Sequence, residues 1–171
     1  MSWDIAGEFT QIILDAEIND PVIIMRHIPN RYLYGSNIES YEILNNITSI
    51  GMGAFARCSG LTNITIPNSV MSIGDGAFSG CSSLMSITIP DRVTRISEWA
   101  FSDCSSLTSV VIGNGVTSSG DGAFYNCSSL TEIQFKGTKR DALTKLKVRN
   151  KRWKEGSPIQ KIVCTDGVIE L

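Results

Sequence analysis

The chain has 171 residues, of which 42% are hydrophobic, enough to fill one core or a short repeat array. Its net charge of −2 hides an asymmetry: residues 136–171 carry ten Lys and Arg against four acids, whereas residues 1–135 carry five against thirteen. No apolar run approaches the roughly 20 residues of a membrane span, and Met-Ser-Trp-Asp lacks a basic stretch followed by an apolar one, so neither a span nor a secretory leader is expected.

In chain order, Ile5, Phe9, Ile12, Ile13 and Ala16 fall on one side of a helix that Asp20-Pro21 breaks. Residues 1–27 are therefore read as an N-terminal cap, helical over 1–20. Residues 28–135 then repeat with a step of 23. Phe55, Phe78, Phe101 and Phe124 hold that step, and so do Ala54, Ala77, Ala100 and Ala123. The columns Cys58, Cys81, Cys104, Cys127 and Leu61, Leu84, Leu107, Leu130 are in phase with them. Ile64, Ile87, Val110, Ile133 and Ile66, Ile89, Ile112, Phe135 complete the pattern. A degenerate first copy precedes the four clear ones, with Tyr32 under Phe55, Ile38 under Leu61, Tyr41 under Ile64 and Ile47 under Val70.

Within a unit, Leu84 to Ile89 alternates apolar and polar residues, a strand with one buried face that Pro90 stops. Val93 to Ile96 is a second short extended piece, and Ala77 to Cys81 has the spacing of a single helical turn. One unit alone cannot bury its apolar side, whereas stacked units can. Residues 63–66, 86–89, 109–112 and 132–135 are thus expected to be neighbouring parallel strands. Residues 136–171 are read as a C-terminal cap of helix plus strands. Thr138 and Asp141 start the helix; Ala142, Leu143, Leu146 and Trp153 make its stripe; Gly156-Ser157-Pro158 ends it. Ile159–Val163 and Val168–Leu171 are two strands about an Asp166-Gly167 turn.

The unit Ser72-Ile73-Gly74-Asp75-Gly76-Ala77-Phe78-Ser79-Gly80-Cys81-Ser82-Ser83-Leu84, with Ile87-Thr88-Ile89-Pro90, resembles the BspA-like leucine-rich repeats of gut, oral and parasitic microbes. The resemblance implies an α/β repeat solenoid, a right-handed superhelix with a parallel sheet, short helical turns and helical caps. It also implies a surface or secreted binding protein, and prophage-encoded members exist. Two departures stand out: Ser119 occupies the column of Ile50, Ile73 and Ile96, and Trp99 replaces a glycine.

Little in the chain suggests chemistry. Cysteines 23 residues apart do not form a metal-ligand cluster, and parallel side-chain vectors about 5 Å apart do not favour disulfides, so they read as buried free thiols. Gly74-Asp75-Gly76 and Gly120-Asp121-Gly122 resemble calcium turns, but Met52 and Glu98 interrupt that column, and ordinary turns explain them better. His27 is the one histidine and has no nucleophile pattern around it. The basic residues of Lys136–Lys161 read as the solvated face of the cap helix, which disfavours nucleic acid as a partner. No cofactor is expected.

The side chains between the strand aliphatics form the expected working surface: Asn63, Thr65, Ser86, Thr88, Ser109, Val111, Glu132 and Gln134. This face is hydroxyl-rich and nearly uncharged, and suits a protein or glycan partner. The expected function is a non-enzymatic interaction or adhesion module. The alternative is a structural or receptor-binding part of a prophage tail.

Overall fold

A computed structural model describes residues 26–146 and 151–171. The expected N-terminal helix over 1–20 lies outside the described residues. The described residues form twelve short strands: β1 His27–Ile28, β2 Ser40–Glu42, β3 Ser49–Ile50, β4 Asn63–Thr65, β5 Ser72–Ile73, β6 Ser86–Ile89, β7 Arg95–Ile96, β8 Ser109–Ile112, β9 Ser118–Ser119, β10 Glu132–Phe135, β11 Lys161–Cys164 and β12 Gly167–Glu170. Among the described residues one α-helix, α1 Lys139–Lys145, and one 3-10 turn, Lys151–Lys154, lie between β10 and β11.

The chain winds as a parallel β-solenoid. The alternating strands stack as β6-β8-β10-β11, and β12 closes that sheet by pairing antiparallel to β11. The second extended piece of each unit forms a ladder of its own, β1-β3-β5-β7-β9, parallel throughout. Register follows the repeat: Ser86 faces Ser109, Ile87 faces Val110 and Ile89 faces Ile112. The first sheet is interrupted, because β4 pairs with β2 and lies beside β6 without a ladder between them.

The third side of each coil was expected to be a helical turn. It is instead a run of tight turns joined from coil to coil by backbone bonds. The N–H of Phe55 donates to Ala77 O at 2.8 Å, that of Phe78 to Ala100 O at 2.8 Å, and that of Phe101 to Ala123 O at 2.9 Å. Spending the amide on the next coil prevents the intrahelical bonds that a helix needs. Two residues per coil also have positive φ, as at Gly76 (58°) and Gly80 (74°), which an α-helix does not allow.

The interior is a set of columns. Phe55, Phe78, Phe101 and Phe124 are fully buried and stack with ring centroids 5.2, 5.3 and 5.5 Å apart, tilted by no more than 9°. Tyr41 covers one end at 5.2 Å and Trp153 the other at 6.0 Å, both at steep angles. In the first coil the step is 22, since His27 pairs with Ser49 while Ser40 pairs with Asn63. That coil is therefore one residue shorter between Gly35 and Ser40, and Leu33, whose N–H reaches Ala54 O, takes the place expected for Tyr32.

The cysteine column has a role that its hydrophobicity alone did not suggest. The thiol of Cys81 donates to Phe55 O at 3.1 Å, that of Cys104 to Phe78 O at 3.2 Å, and that of Cys127 to Phe101 O at 3.1 Å. Each thiol thereby donates to a carbonyl of the preceding coil, and at Phe55 and Phe78 it is a second donor beside the N–H of Cys58 and of Cys81. All five cysteines are free.

At the C-terminal end the expected long helix is two pieces. The Thr138 side chain accepts from the Asp141 N–H and starts α1, and Ala142 and Leu146 face inward. Leu143 is exposed, about a third of a turn away from that stripe. Trp153 sits on the separate 3-10 turn, whose carbonyl accepts from the Phe124 N–H at 2.8 Å, as Ala123 does for Phe101. The Ser157 hydroxyl donates to Phe124 O, standing in for the thiol of the earlier coils. Ile162 then pairs with Ile133, so residues 151–164 behave as one more rung that α1 interrupts.

Candidate interaction surface

Alternation along each strand sends one set of side chains into the solenoid and the other to solvent. Of the expected surface residues, the structure places Ser86, Thr88, Ser109, Val111, Glu132 and Gln134 on the stacked sheet. Asn63, Thr65, Ser86, Thr88, Ser109 and Gln134 are exposed, whereas Val111 and Glu132 are half-buried. Register brings Ser86 beside Ser109, and Val111 lies between Thr88 and Gln134. Asn63 and Thr65 belong to the separate β2-β4 pair and face Ser40 and Glu42. Glu132 is engaged within the chain: Lys161 Nζ lies 2.8 Å from its carboxylate, and this pairing raises the Lys161 pKa. The surface is thus six hydroxyl or amide side chains around one aliphatic, with an ion pair at its C-terminal edge.

A second row of hydroxyls edges the sheet. Thr62 donates to Glu39 O at 3.1 Å and Thr108 to Met85 O at 3.2 Å, each bridging to the preceding coil. Those hydroxyls are used inside the fold, which distinguishes them from the strand side chains. Met85 interrupts this threonine row and is more than half exposed. Sequence reasoning passed over it because its column is not part of the repeating core.

Elsewhere, His27 Nδ1 lies 2.6 Å from Ser49 Oγ on the other ladder. The Asp75 carboxylate accepts from the Glu98 N–H of the next coil at 3.2 Å, and Asp121 pairs with Arg152 at 3.5 Å. Among the described residues no three His, Cys, Asp or Glu side chains converge on one point. Burial pushes the thiols of Cys81 and Cys127 up to about 12 and that of Cys104 well above its ordinary value, which leaves them protonated and poor as nucleophiles or ligands. No helix among the described residues is long and apolar enough to cross a membrane.

Residues 26–145 match, in six copies, the family described as the BspA type leucine rich repeat region. The chain belongs to this family. Among solved structures, a leucine rich repeat protein of T. pallidum is 31% identical with a TM-score of 0.62, over 63% of this chain and 51% of that one. A leucine rich cell surface protein from Faecalibacterium prausnitzii is 28% identical with a TM-score of 0.58, over 77% of this chain and 33% of that one. The pneumococcal vaccine antigen PcpA shares the fold at 16% identity and a TM-score of 0.51, over 80% of this chain and 40% of that one. This BspA-type chain therefore spans from a third to about half the length of those proteins. No curated protein is similar enough to count as a relative. The family and its neighbours agree with a protein-interaction module.

Proposed function

We propose that this chain is a non-enzymatic adhesion module that engages a protein at a cell surface through the outer face of the β6-β8-β10 sheet. The observation that carries this reading is the constancy of that face. Ser86, Thr88, Ser109 and Gln134 stand in register on a rigid sheet, and their side chains have no partner role in the core. Short hydroxyl side chains lose little conformational freedom when they bind, and hydroxyl and amide groups recognise a partner through hydrogen bonds instead of charge. The similarity to a protein described as a leucine rich cell surface protein supports surface display. A glycan would use the same hydrogen-bonding groups and is the alternative ligand of this face.

The test places a large charged side chain on the face. Thr88→Arg with Ser109→Arg should leave the fold intact, because both sites are exposed. Native chain and variant are applied to host-cell surfaces and to an immobilised glycan array. Loss of cell binding in the variant, with no glycan retained by the native chain, supports the protein reading. Retention of binding by the variant removes the sheet face from consideration.

A further inference from the structure

Trp99 stands on the turn side of the solenoid, away from the sheet face, at a position where the coils before and after carry glycine. Its φ of 57° matches those of Gly76 (58°) and Gly122 (65°). Left-handed backbone is free of cost for glycine and strained for a side chain as large as an indole. The side chain is only partly covered in return, since Trp99 is 46% exposed. Its ring lies across Gly122, where an added Cβ would come within 2.4–2.7 Å of three ring atoms. Tyr125 supports it edge-on at 5.4 Å. The Phe78–Phe101–Phe124 stack does not include the indole. Trp99 therefore lies outside the buried core, resting on the next coil at Gly122 and Tyr125 with much of its indole open to solvent.

Acidic residues flank the pair along the chain and on the neighbouring coils. Asp75, Glu98 and Asp121 repeat one per coil just ahead of the left-handed position, and all are exposed. The Trp99 N–H bonds to Asp121 O at 3.1 Å, which fixes Asp121 alongside, and the Asp103 N–H bonds to Tyr125 O at 2.7 Å. Against these four acids stand Arg95, 3.9 Å from Glu98, and Arg152, 3.5 Å from Asp121. Both ion pairs are exposed, a class that contributes little and exchanges readily. Among the described residues Asp75 and Asp103 carry no ion pair of that kind, and the first 135 residues as a whole hold thirteen acids to five bases.

We propose that the Trp99–Tyr125 pair is a docking site for an extended, arginine- or lysine-bearing segment of a protein partner. An indole face is the strongest aromatic acceptor for a side-chain cation, and guanidinium groups also pair bidentately with carboxylates. Placing an aromatic face among Glu98, Asp103 and Asp121 lets one cation use both contacts, with neighbouring basic residues following the acidic column along the coils. The site is independent of the sheet face.

The experiment titrates the full chain with a short synthetic Arg-Gly repeat peptide, and with matched Gln-Gly and Glu-Gly peptides, by calorimetry. Binding is expected for the arginine peptide alone and should weaken as salt is raised. Trp99→Gly should lower the affinity at least about fivefold while its melting temperature equals or exceeds that of the native chain. Glu98→Gln with Asp121→Asn should weaken binding in the same direction, and Thr88→Arg should leave it unchanged. Equal binding of the glutamine peptide, undiminished binding by Trp99→Gly, or a clear loss of thermal stability in that variant would each overturn the proposal.

Discussion

Truncating Phe101 to Ala tests the assignment of inside and outside. Phe101 is fully buried and lies face to face with Phe78 at 5.3 Å and Phe124 at 5.5 Å. Removing its ring deletes a large apolar group, opens a cavity in the middle of the stack and breaks two aromatic contacts at once. Buried Phe→Ala changes cost about 3–5 kcal/mol, and each aromatic pair carries about 0.5–1.5 kcal/mol within that sum. For a domain of this length, 1 kcal/mol moves the midpoint by about 2–4 °C, so Tm should fall by roughly 6–20 °C. Thr88→Ala, on the exposed face, should stay within about 0.5 kcal/mol. Thermal and urea unfolding followed by circular dichroism compare the two. Since each coil touches mainly its neighbours, hydrogen exchange in the Phe101 variant should rise first in the coils of Phe78 and Phe124. Equal losses at both positions, or a loss under about 1 kcal/mol at Phe101, would refute the column assignment.

Ser119 extends the Ile50–Ile73–Ile96 column and is buried with a hydroxyl that has no partner. Ser119→Val should therefore gain about 1–2 kcal/mol, seen as a raised urea midpoint; a lowered midpoint would show that the site has no room for the second methyl. The buried thiols make stability depend on alkaline pH. Between about 9, where an exposed thiol ionises, and about 12, where Cys81 and Cys127 do, the folded chain holds protons that the unfolded chain has lost. Stability is therefore full below that window and declines through it, by up to about 1.4 kcal/mol per pH unit for each thiol. Cys81→Ala should flatten the slope by one such contribution, and an unchanged slope would argue that the thiol is solvated. The same burial predicts that a water-soluble disulfide reagent finds no reactive thiol at Cys58, Cys81, Cys104 or Cys127 in the native chain at pH 8, and five in denaturant.

The repeat was legible because a solenoid applies the same packing constraint at every coil. The Phe, Ala, Cys and Leu columns return every 23 residues since each must meet its own copy about 5 Å away. Strand phase followed from alternation, and so did the outward direction of Ser86, Thr88 and Ser109. The start of α1 at Thr138 followed from its side chain's capacity to cap Asp141. These are local or strictly periodic facts, and one sequence suffices for them.

What lay beyond the sequence depended on where amides and rings find partners between coils. The spacing Ala77 to Cys81 fits a helical turn equally well, and only stacking reveals that the Phe78 N–H is taken by Ala100 in the next coil. The thiol-to-carbonyl bonds of the cysteine column are contacts at a separation of 26 residues, which composition cannot distinguish from hydrophobic filling. Trp153 read as a helix-stripe residue, because its distance from Phe124 is set by the insertion of α1 and not by the repeat. Trp99 read as a packing irregularity, and its φ together with the neighbouring Gly122 is what turns it outward. A periodic sequence dictates the coil through its own regularity, whereas closure of the stack and the display of its irregular residues are decided by contacts between coils.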